Sequence, residues 1–263
     1  MQAFDRLLTI MDELREKCPW DKKQTFQSLR HLSIEEIYEL SDAILDEDMP
    51  EIRKELGDVL LHVVFYAKIA SENTNKTGNA NESFNIEDVL NTLCEKLISR
   101  HPHIYGDMVA TTEEDVNKLW AQVKQKESNN EKSALAGVPK SLPALVKAIR
   151  IQEKARNVGF DWEDKTQVWE KVKEEIAEFE EEFKAGADFS QEKAEAEFGD
   201  LLFSLVNYAR FININPETAL EKTNKKFTKR FQYLEQKAKE NNQILSEMTL
   251  EEMDVYWNEA KKL

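Results

Sequence analysis

One short pattern occurs twice in the chain, and this repeat constrains the fold more than any other feature of the sequence. Residues 35–70 contain Glu-Glu-x-x-Glu, a short break, and then Glu-x-Gly-Asp at the start of an apolar segment. Residues 174–212 contain the same pattern in the same order. Such a repeat indicates that two similar structural units follow each other in one chain.

Further matches follow each copy, namely a lysine and an arginine one helical turn apart and then a tryptophan. These residues are Lys96, Arg100 and Trp120 after the first copy, and Lys226, Arg230 and Trp257 after the second. A polar stretch over 124–133 has the composition of a linker. We therefore predict a first unit over residues 1–128, a linker over 129–142 and a second unit over 143–263.

The composition favours long helices, because the 263 residues include only 7 Gly and 6 Pro. No segment has the pattern of a strand. We predict helices, with approximate bounds, over 2–16, 33–47, 50–72, 85–100, 113–127, 143–156, 165–185, 190–212, 217–240 and 249–262. Ser33 with Glu36 fits a capping box, and Pro50 and Pro216 suit first helical turns. The Asn-rich segment 71–83 is predicted to be a loop. The predicted fold class is therefore all-α.

The charge and the cysteines limit the partners and the location. The formal net charge of −15 repels phosphate backbones and anionic membranes, so we predict no binding to nucleic acid or to a membrane. Cys18 and Cys94 form no disulfide or metal pattern, which favours a reducing compartment. The N-terminal segment has the pattern of an amphipathic helix rather than of a signal peptide. We therefore predict a cytoplasmic protein.

The carboxylates of the repeat are spaced for a metal site, because residues three apart are neighbours on a helix. The pairs are Glu36 with Glu39, Glu55 with Asp58, Glu175 with Glu178, and Glu197 with Asp200. The helix that follows each Glu-x-Gly-Asp is apolar on nearly all sides, so we predict that it is buried. Ionised carboxylates at such a place are costly unless they are paired or bind a metal. Four carboxylates suit Mg²⁺, or Mn²⁺ in its place, and structural ion pairs are the alternative.

These motifs resemble those of MazG proteins, which belong to the all-α nucleoside triphosphate (NTP) pyrophosphohydrolase superfamily. Segments such as CPWDKKQTF, SIEEIYELSDAI and RHPHIYGD extend the resemblance over essentially the whole chain. The resemblance implies Mg²⁺-dependent hydrolysis of NTPs or dNTPs to the monophosphate and diphosphate, in control or house-cleaning of the nucleotide pool. It also implies a helix bundle that homodimerisation completes.

The resemblance also implies roles for the residues of the second copy. The metal ligands are predicted to be Glu175, Glu178, Glu197 and Asp200, and Glu174 is predicted to be a ligand or an orienting group that also contacts the substrate. We predict phosphate contacts from cations one turn before the ligands and one turn apart further on, and these are Lys171, Lys193, Lys226 and Arg230. For any single lysine the alternative is a solvated surface charge. Trp257 is predicted to stack on the nucleobase, with packing in the core as the alternative.

The first copy is predicted to be a second, weaker site with the ligands Glu36, Glu39, Glu55 and Asp58. When Asp58 is aligned with Asp200, Glu51 replaces Lys193. When Glu36 is aligned with Glu175, Leu32 replaces Lys171. Two cations are therefore missing, and we predict that residues 143–263 are the main catalytic unit. Arg53 and Lys54 lie nearby, however, so weak or differently selective activity of the first unit is the alternative.

Two other functions were weighed against this hydrolase. A di-iron oxidase of the ferritin type needs Glu-x-x-His on two helices, and none of the four histidines has a glutamate three residues before it. A helical dimer that only regulates other proteins would not need the repeated carboxylates, although an enzyme is compatible with regulatory protein partners. His101 and His103 lack the further ligands of a zinc site.

Overall fold

The structure is a computed structural model that describes residues 2–72, 83–112, 133–184 and 189–262, and a few residues between 115 and 123. Within this part of the chain the regular structure consists of α-helices and short 3-10 turns, without a β-strand. The all-α prediction is confirmed. The chain divides into two compact units, Met1–Asn129 and Asn130–Leu263. That they are copies of one helical unit stays a prediction.

The first unit is built around a pair of packed helices. Its described helices are α1 (Gln2–Lys17), α2 (Phe26–Leu45), α3 (Met49–Ser71), α4 (Ile86–Arg100) and α5 (Pro102–Tyr105), and a 3-10 turn spans Asp21–Lys23. Helix α2 packs along α3, and α1 and α4 pack on α3 as well. The predicted loop over 71–83 and the predicted helix over 113–127 lie largely outside the described residues.

A small apolar core holds α1, α2 and α3 together. Its buried members are Met11, Leu29, Val64, Phe65 and Ile69. Full burial of each such side chain contributes about 1.5–3 kcal/mol. The core thereby sets the distance between α2 and α3, which carry the carboxylates of the first copy.

Helix α2 begins earlier than the sequence suggested. Thr25 is its N-cap and forms a capping box with Ser28, whose backbone N–H donates to the Thr25 hydroxyl at 3.1 Å. Ser33 lies inside the helix and donates to the carbonyl of Leu29 at 3.0 Å, so the predicted start at Ser33 is wrong. The predicted first-turn positions of Pro50 and Pro216 are confirmed.

The second unit also contains a pair of packed helices. Its described helices are α6 (Ala144–Arg156), α7 (Lys165–Lys184), α8 (Gln191–Phe211), α9 (Pro216–Glu240) and α10 (Leu250–Ala260). Helix α7 packs along α8, α6 packs on α8 and α9, and α10 packs on α9. Val172 and Leu234 are buried here, but so is Gln152, whose amide donates to the carbonyl of Phe203 at 2.8 Å.

The prediction that α3 and α8 are buried on nearly all sides is wrong for the single chain. Leu56 and Leu60 on α3 are 53% and 41% exposed, and Phe198 and Leu202 on α8 are 47% and 45% exposed. The reason is that each helix meets its neighbours in a small unit on part of its surface only. Contiguous exposed apolar side chains of this kind are typical of an interaction surface.

Candidate metal centres in the two units

Three glutamates of the first unit meet between α2 and α3. Glu36 and Glu39 on α2 and Glu55 on α3 each offer a carboxylate oxygen, and these oxygens lie within 4.8 Å of one another. We call them the N-terminal carboxylate group. Glu55 is completely buried, and its Oε2 has no hydrogen-bond partner among the described residues. A buried, unpartnered carboxylate oxygen is costly, so its position calls for a cation.

Lys54 neutralises part of this buried charge. Its Nζ lies 2.7 Å from Oε1 of Glu55 and 2.7 Å from Oε1 of Glu51. The hydrogen bond from Lys54 lowers the pKa of Glu55, and the hydrogen bonds to Glu51 and Glu55 raise the pKa of Lys54. Sequence alignment of the two copies did not reveal this lysine as a partner of the group.

The remaining carboxylates repel one another. Burial raises the pKa of Glu36, and the negative charges of Asp58, Glu39 and Glu55 raise it further. Asp58, the fourth predicted ligand, therefore acts on Glu36 through its charge, but it lies outside the group of three. A divalent cation would relieve this repulsion, because it favours the ionised form of each carboxylate.

A polar cluster that sequence reasoning missed lies beside Glu36. The hydroxyl of Ser33 lies 2.8 Å from Nδ1 of His62 and 2.7 Å from the hydroxyl of Tyr66. Nε2 of His62 lies 4.0 Å from Oε1 of Glu36, and burial lowers the pKa of this imidazole. The signal in the sequence was the helical spacing from Asp58 to His62 to Tyr66, four residues at each step.

Three glutamates also meet between α7 and α8 in the second unit. Glu175 and Glu178 on α7 and Glu197 on α8 offer oxygens within 4.8 Å of one another, and we call them the C-terminal carboxylate group. Glu175 is only 5% exposed. Burial raises the pKa of Glu178, and the charge of Glu175 raises it further. Asp200 is exposed and lies outside the group.

Lys171 forms an ion pair with one member of this group. Its Nζ lies 2.7 Å from Oε1 of Glu175 and 2.9 Å from Oε1 of Glu174. Hydrogen bonds to Glu175 and Glu174 raise the pKa of Lys171. Glu174 is exposed and held by the lysine rather than by the group. Lys193 lies in the first turn of α8, where the Ser190 hydroxyl accepts its backbone N–H.

The other predicted substrate residues lie on α9 and α10. Lys226 and Arg230 line a cleft of about 460 Å³, together with Lys229, Tyr233 and Lys261. We call it the basic cleft; no residue of the C-terminal carboxylate group is among its described lining residues. Trp257 is half-buried and packs on Phe227, with ring centroids 5.0 Å apart. Its contact with Phe227 agrees with the packing alternative.

The donor set of both carboxylate groups fits Mg²⁺ or Mn²⁺. All ligand atoms offered are carboxylate oxygens, which hard divalent cations prefer. The unpartnered Oε2 of Glu55 is the clearest sign of a missing positive charge.

Among the described residues, every helix is either too short or too polar to cross a membrane.

Comparisons with known proteins identify relatives of this chain. The model of the MazG nucleotide pyrophosphohydrolase domain matches residues 24–105, which include the whole N-terminal carboxylate group. The nucleoside triphosphate pyrophosphohydrolase/pyrophosphatase MazG of Thermotoga maritima is 44% identical over 98% of this chain and 95% of its own length. The nucleoside triphosphate pyrophosphohydrolase of Escherichia coli K12 is 41% identical over 100% of this chain and 98% of its own length.

A third relative is longer than this chain. YabN of Bacillus subtilis is 48% identical over 98% of this chain, which corresponds to 52% of YabN. The resemblance predicted from the sequence is confirmed, since two of these relatives match along nearly their whole length. The chain belongs to the MazG nucleotide pyrophosphohydrolase family.

Proposed function

We propose that the protein hydrolyses NTPs and dNTPs to the corresponding monophosphate and diphosphate, with Mg²⁺ held by the carboxylate groups. The observation that carries the proposal is the fully buried Glu55, which shares a group with Glu36 and Glu39 and has one oxygen without a partner among the described residues. The names of the T. maritima and E. coli relatives support the same activity. Control or house-cleaning of the nucleotide pool is the role that this reaction would serve.

The residues present can supply what phosphoryl transfer needs. When bound, Mg²⁺ neutralises phosphate charge and lowers the pKa of a coordinated water. The carboxylates of Glu175, Glu178 and Glu197 would hold the cation from two sides, because they come from two helices. Lys171 would offset the charge of the triphosphate, since such catalysis is mainly positioning and electrostatics.

We assign the larger share of the activity to the C-terminal unit. It carries Lys171 beside its carboxylate group and also contains the basic cleft, in which Lys226 and Arg230 form no ion pair within the described part of the chain. The match of the family model to residues 24–105 favours activity in the N-terminal unit as well. Asp200, Lys193, Glu174 and Trp257 keep their proposed roles as ligand or substrate contacts.

We further propose that the protein is a homodimer whose interface covers the exposed apolar faces of α3 and α8. Leu56 and Phe198 are each about half exposed in the single chain, which is unfavourable for side chains of this size. Light scattering at micromolar concentration tests the assembly, and a fully active monomer would contradict it. Regulatory protein partners and a cytoplasmic location stay predictions.

The activity is tested by following the products of ATP and dNTP hydrolysis by ³¹P NMR. We expect monophosphate and diphosphate as first products, loss of turnover with a chelator, and recovery with Mg²⁺ or Mn²⁺. Glu178→Gln combined with Glu39→Gln removes one carboxylate charge from each group. Glu180→Gln is the matched control, because Glu180 is exposed on the same helix and pairs with Lys184 instead. Early appearance of a nucleoside diphosphate and orthophosphate would contradict the proposed reaction.

A further inference from the structure

In both units a lysine is bound to the most deeply buried glutamate of the carboxylate group. Lys54 Nζ lies 2.7 Å from Oε1 of Glu55, and Lys171 Nζ lies 2.7 Å from Oε1 of Glu175. Each lysine also reaches a second glutamate outside its group. The ammonium therefore neutralises a ligand oxygen in the absence of a metal.

The two lysines do not occupy equivalent positions of the repeat. Alignment of Glu36 with Glu175 places Leu32 opposite Lys171, and alignment of Asp58 with Asp200 places Ala196 opposite Lys54. The lysine comes from α3 in the first unit and from α7 in the second. Both units thus pair a lysine with a buried glutamate, although the lysine comes from the second helix of the pair in the first unit and from the first helix in the second unit. Lys54 replaces the cation that the alignment reported as missing.

Lys54 can leave Glu55 when a dication takes over the compensation of its charge. Its side chain is 58% exposed, and its only described hydrogen bonds go to Glu51 and Glu55. A dication at the unpartnered Oε2 of Glu55 would repel the ammonium on Oε1 of the same carboxylate. The flexible lysine stem would allow the ammonium to turn towards another anion.

We propose that Lys54 is an exchangeable counter-ion of the N-terminal carboxylate group. It occupies Glu55 while no metal is bound, competes with an incoming divalent cation, and after displacement binds a phosphate of the nucleotide. Lys54 is thereby a phosphate-binding residue of the first unit. The phosphate contact rests on the proposed NTP hydrolysis, whereas the competition with a metal does not.

The competition is measured with Mn²⁺ alone. Free Mn²⁺ is followed by electron paramagnetic resonance in the background Glu178→Gln, in which the N-terminal group is the complete one. We expect Lys54→Gln to bind Mn²⁺ about threefold more tightly, because Lys54 is partly exposed and therefore a modest competitor, which the substitution removes. Lys54→Arg keeps the charge and should bind as the parent does. Arg53→Gln removes a neighbouring exposed cation and should also leave Mn²⁺ binding unchanged.

The phosphate contact is measured separately with Mn²⁺ present in excess. In the same Glu178→Gln background, Lys54→Gln should raise the KM of the residual dNTP hydrolysis at least about threefold with little change in kcat, since it removes one phosphate contact. Unchanged or weaker Mn²⁺ binding in Lys54→Gln, with normal circular dichroism, would overturn the proposal. If the parent hydrolysed no NTP, the proposed function would fail, but the Mn²⁺ titration would still decide the role of Lys54.

Discussion

The two carboxylate groups differ in which glutamate they bury. In the first unit the buried residue is Glu55, which comes from the second helix of the pair, whereas in the second unit it is Glu175, which comes from the first helix. In both units the lysine accompanies the buried glutamate. Charge compensation thus follows burial and not the alignment of the repeat, because an uncompensated charge is costly wherever the chain places it.

The structure also corrects the number of cations near each carboxylate group. The predicted ranking of the two units by activity depended on that number. Glu51 replaces Lys193 in the alignment, but in the structure Glu51 is itself paired with Lys54 at 2.7 Å. Leu32 replaces Lys171, but Lys54 offers its charge from the facing helix. The N-terminal group is therefore less poor in positive charge than the alignment implied. The basic cleft remains a feature of the second unit.

The largest expected effect is a difference in NTP hydrolysis between variants of the two carboxylate groups. Glu178→Gln should remove nearly all NTP hydrolysis, at least about a hundredfold, because a ligand charge is lost at the main site. Glu39→Gln should leave activity near that of the parent. Both variants are assayed side by side for diphosphate release, with Glu180→Gln as the control on α7. A larger loss in Glu39→Gln would make the first unit the main site.

The next effect concerns the arginines that tie each helix pair to the rest of its unit. Arg15 is nearly buried and contacts Glu72 with two nitrogens, at 2.9 and 2.5 Å, as well as the backbone oxygens of Asp21 and Gln24. Arg15→Ala should lower the free energy of unfolding by about 2–3 kcal/mol, since charged hydrogen bonds are lost. Urea unfolding, with hydrogen exchange to locate the weakened unit, measures it.

The corresponding arginine of the second unit should matter less. Arg210 pairs with Asp161, and both side chains keep about a fifth of their surface exposed. We expect a loss of about 1–2 kcal/mol in Arg210→Ala. Equal losses of the free energy of unfolding in Arg15→Ala and Arg210→Ala would show that burial of the arginine does not determine how strongly it stabilises its unit.

A smaller effect is expected at the turn between α2 and α3. Glu47 has φ = 55°, a left-handed conformation that costs a residue with a Cβ about 1 kcal/mol. Glu47→Gly should therefore raise the free energy of unfolding by up to about 1 kcal/mol. Asn213 after α8 has φ = 56°, but asparagine tolerates this region, so Asn213→Gly should change stability less. Thermal unfolding of the two variants gives the comparison.

The smallest effect is a change in the pH dependence of the metal-free protein. The pKa of Glu178 lies above its ordinary value of 4.5 in the folded state, so its contribution to stability falls as pH rises through the interval above 4.5. The pKa of Glu55 is lowered by Lys54, so its contribution is present above 4.5 and is lost as pH falls through the lowered value.

Two glutamine variants separate these opposite signs. In a chelator, Glu178→Gln should weaken the fall of the unfolding temperature as pH rises above 4.5. Glu55→Gln should instead remove stability that the parent has at neutral pH. Added Mg²⁺ should remove the difference in unfolding temperature between Glu178→Gln and the parent, because the metal compensates the charge of Glu178. An equal change in the pH dependence of the unfolding temperature in both variants would contradict the opposite signs expected for the two carboxylate groups.

Much of the fold follows from the sequence alone. Helices with a strong apolar pattern and a clear cap, such as Pro216–Glu240, end close to their predicted bounds. The start of α2 does not, because Thr25 with Ser28 forms a capping box that lacks the usual glutamate, and Ser33 with Glu36 imitates one. Ser33 instead contacts His62 across the helix pair, a partner that no local pattern reveals.

The candidate site was predictable in its residue types but not in its arrangement. Helical spacing is sufficient to place Glu175 next to Glu178, and repetition is sufficient to suggest that Glu197 faces them. Which carboxylate is buried depends on the rotation of each helix against its neighbour, which spacing does not determine. Asp200 shows this, since it follows Glu197 by three residues and is nonetheless exposed and outside the group.

Each carboxylate group is made by two helices that are consecutive among the described elements of the chain. For α2 and α3 the connection is a single tight turn around Glu47. All its carboxylates are therefore local in sequence, and local contacts favour fast folding. A growing chain that has reached the end of α3 already contains every residue of the first group. One continuous segment of the chain, from α2 to the end of α3, thus carries the three carboxylates together with their own lysine.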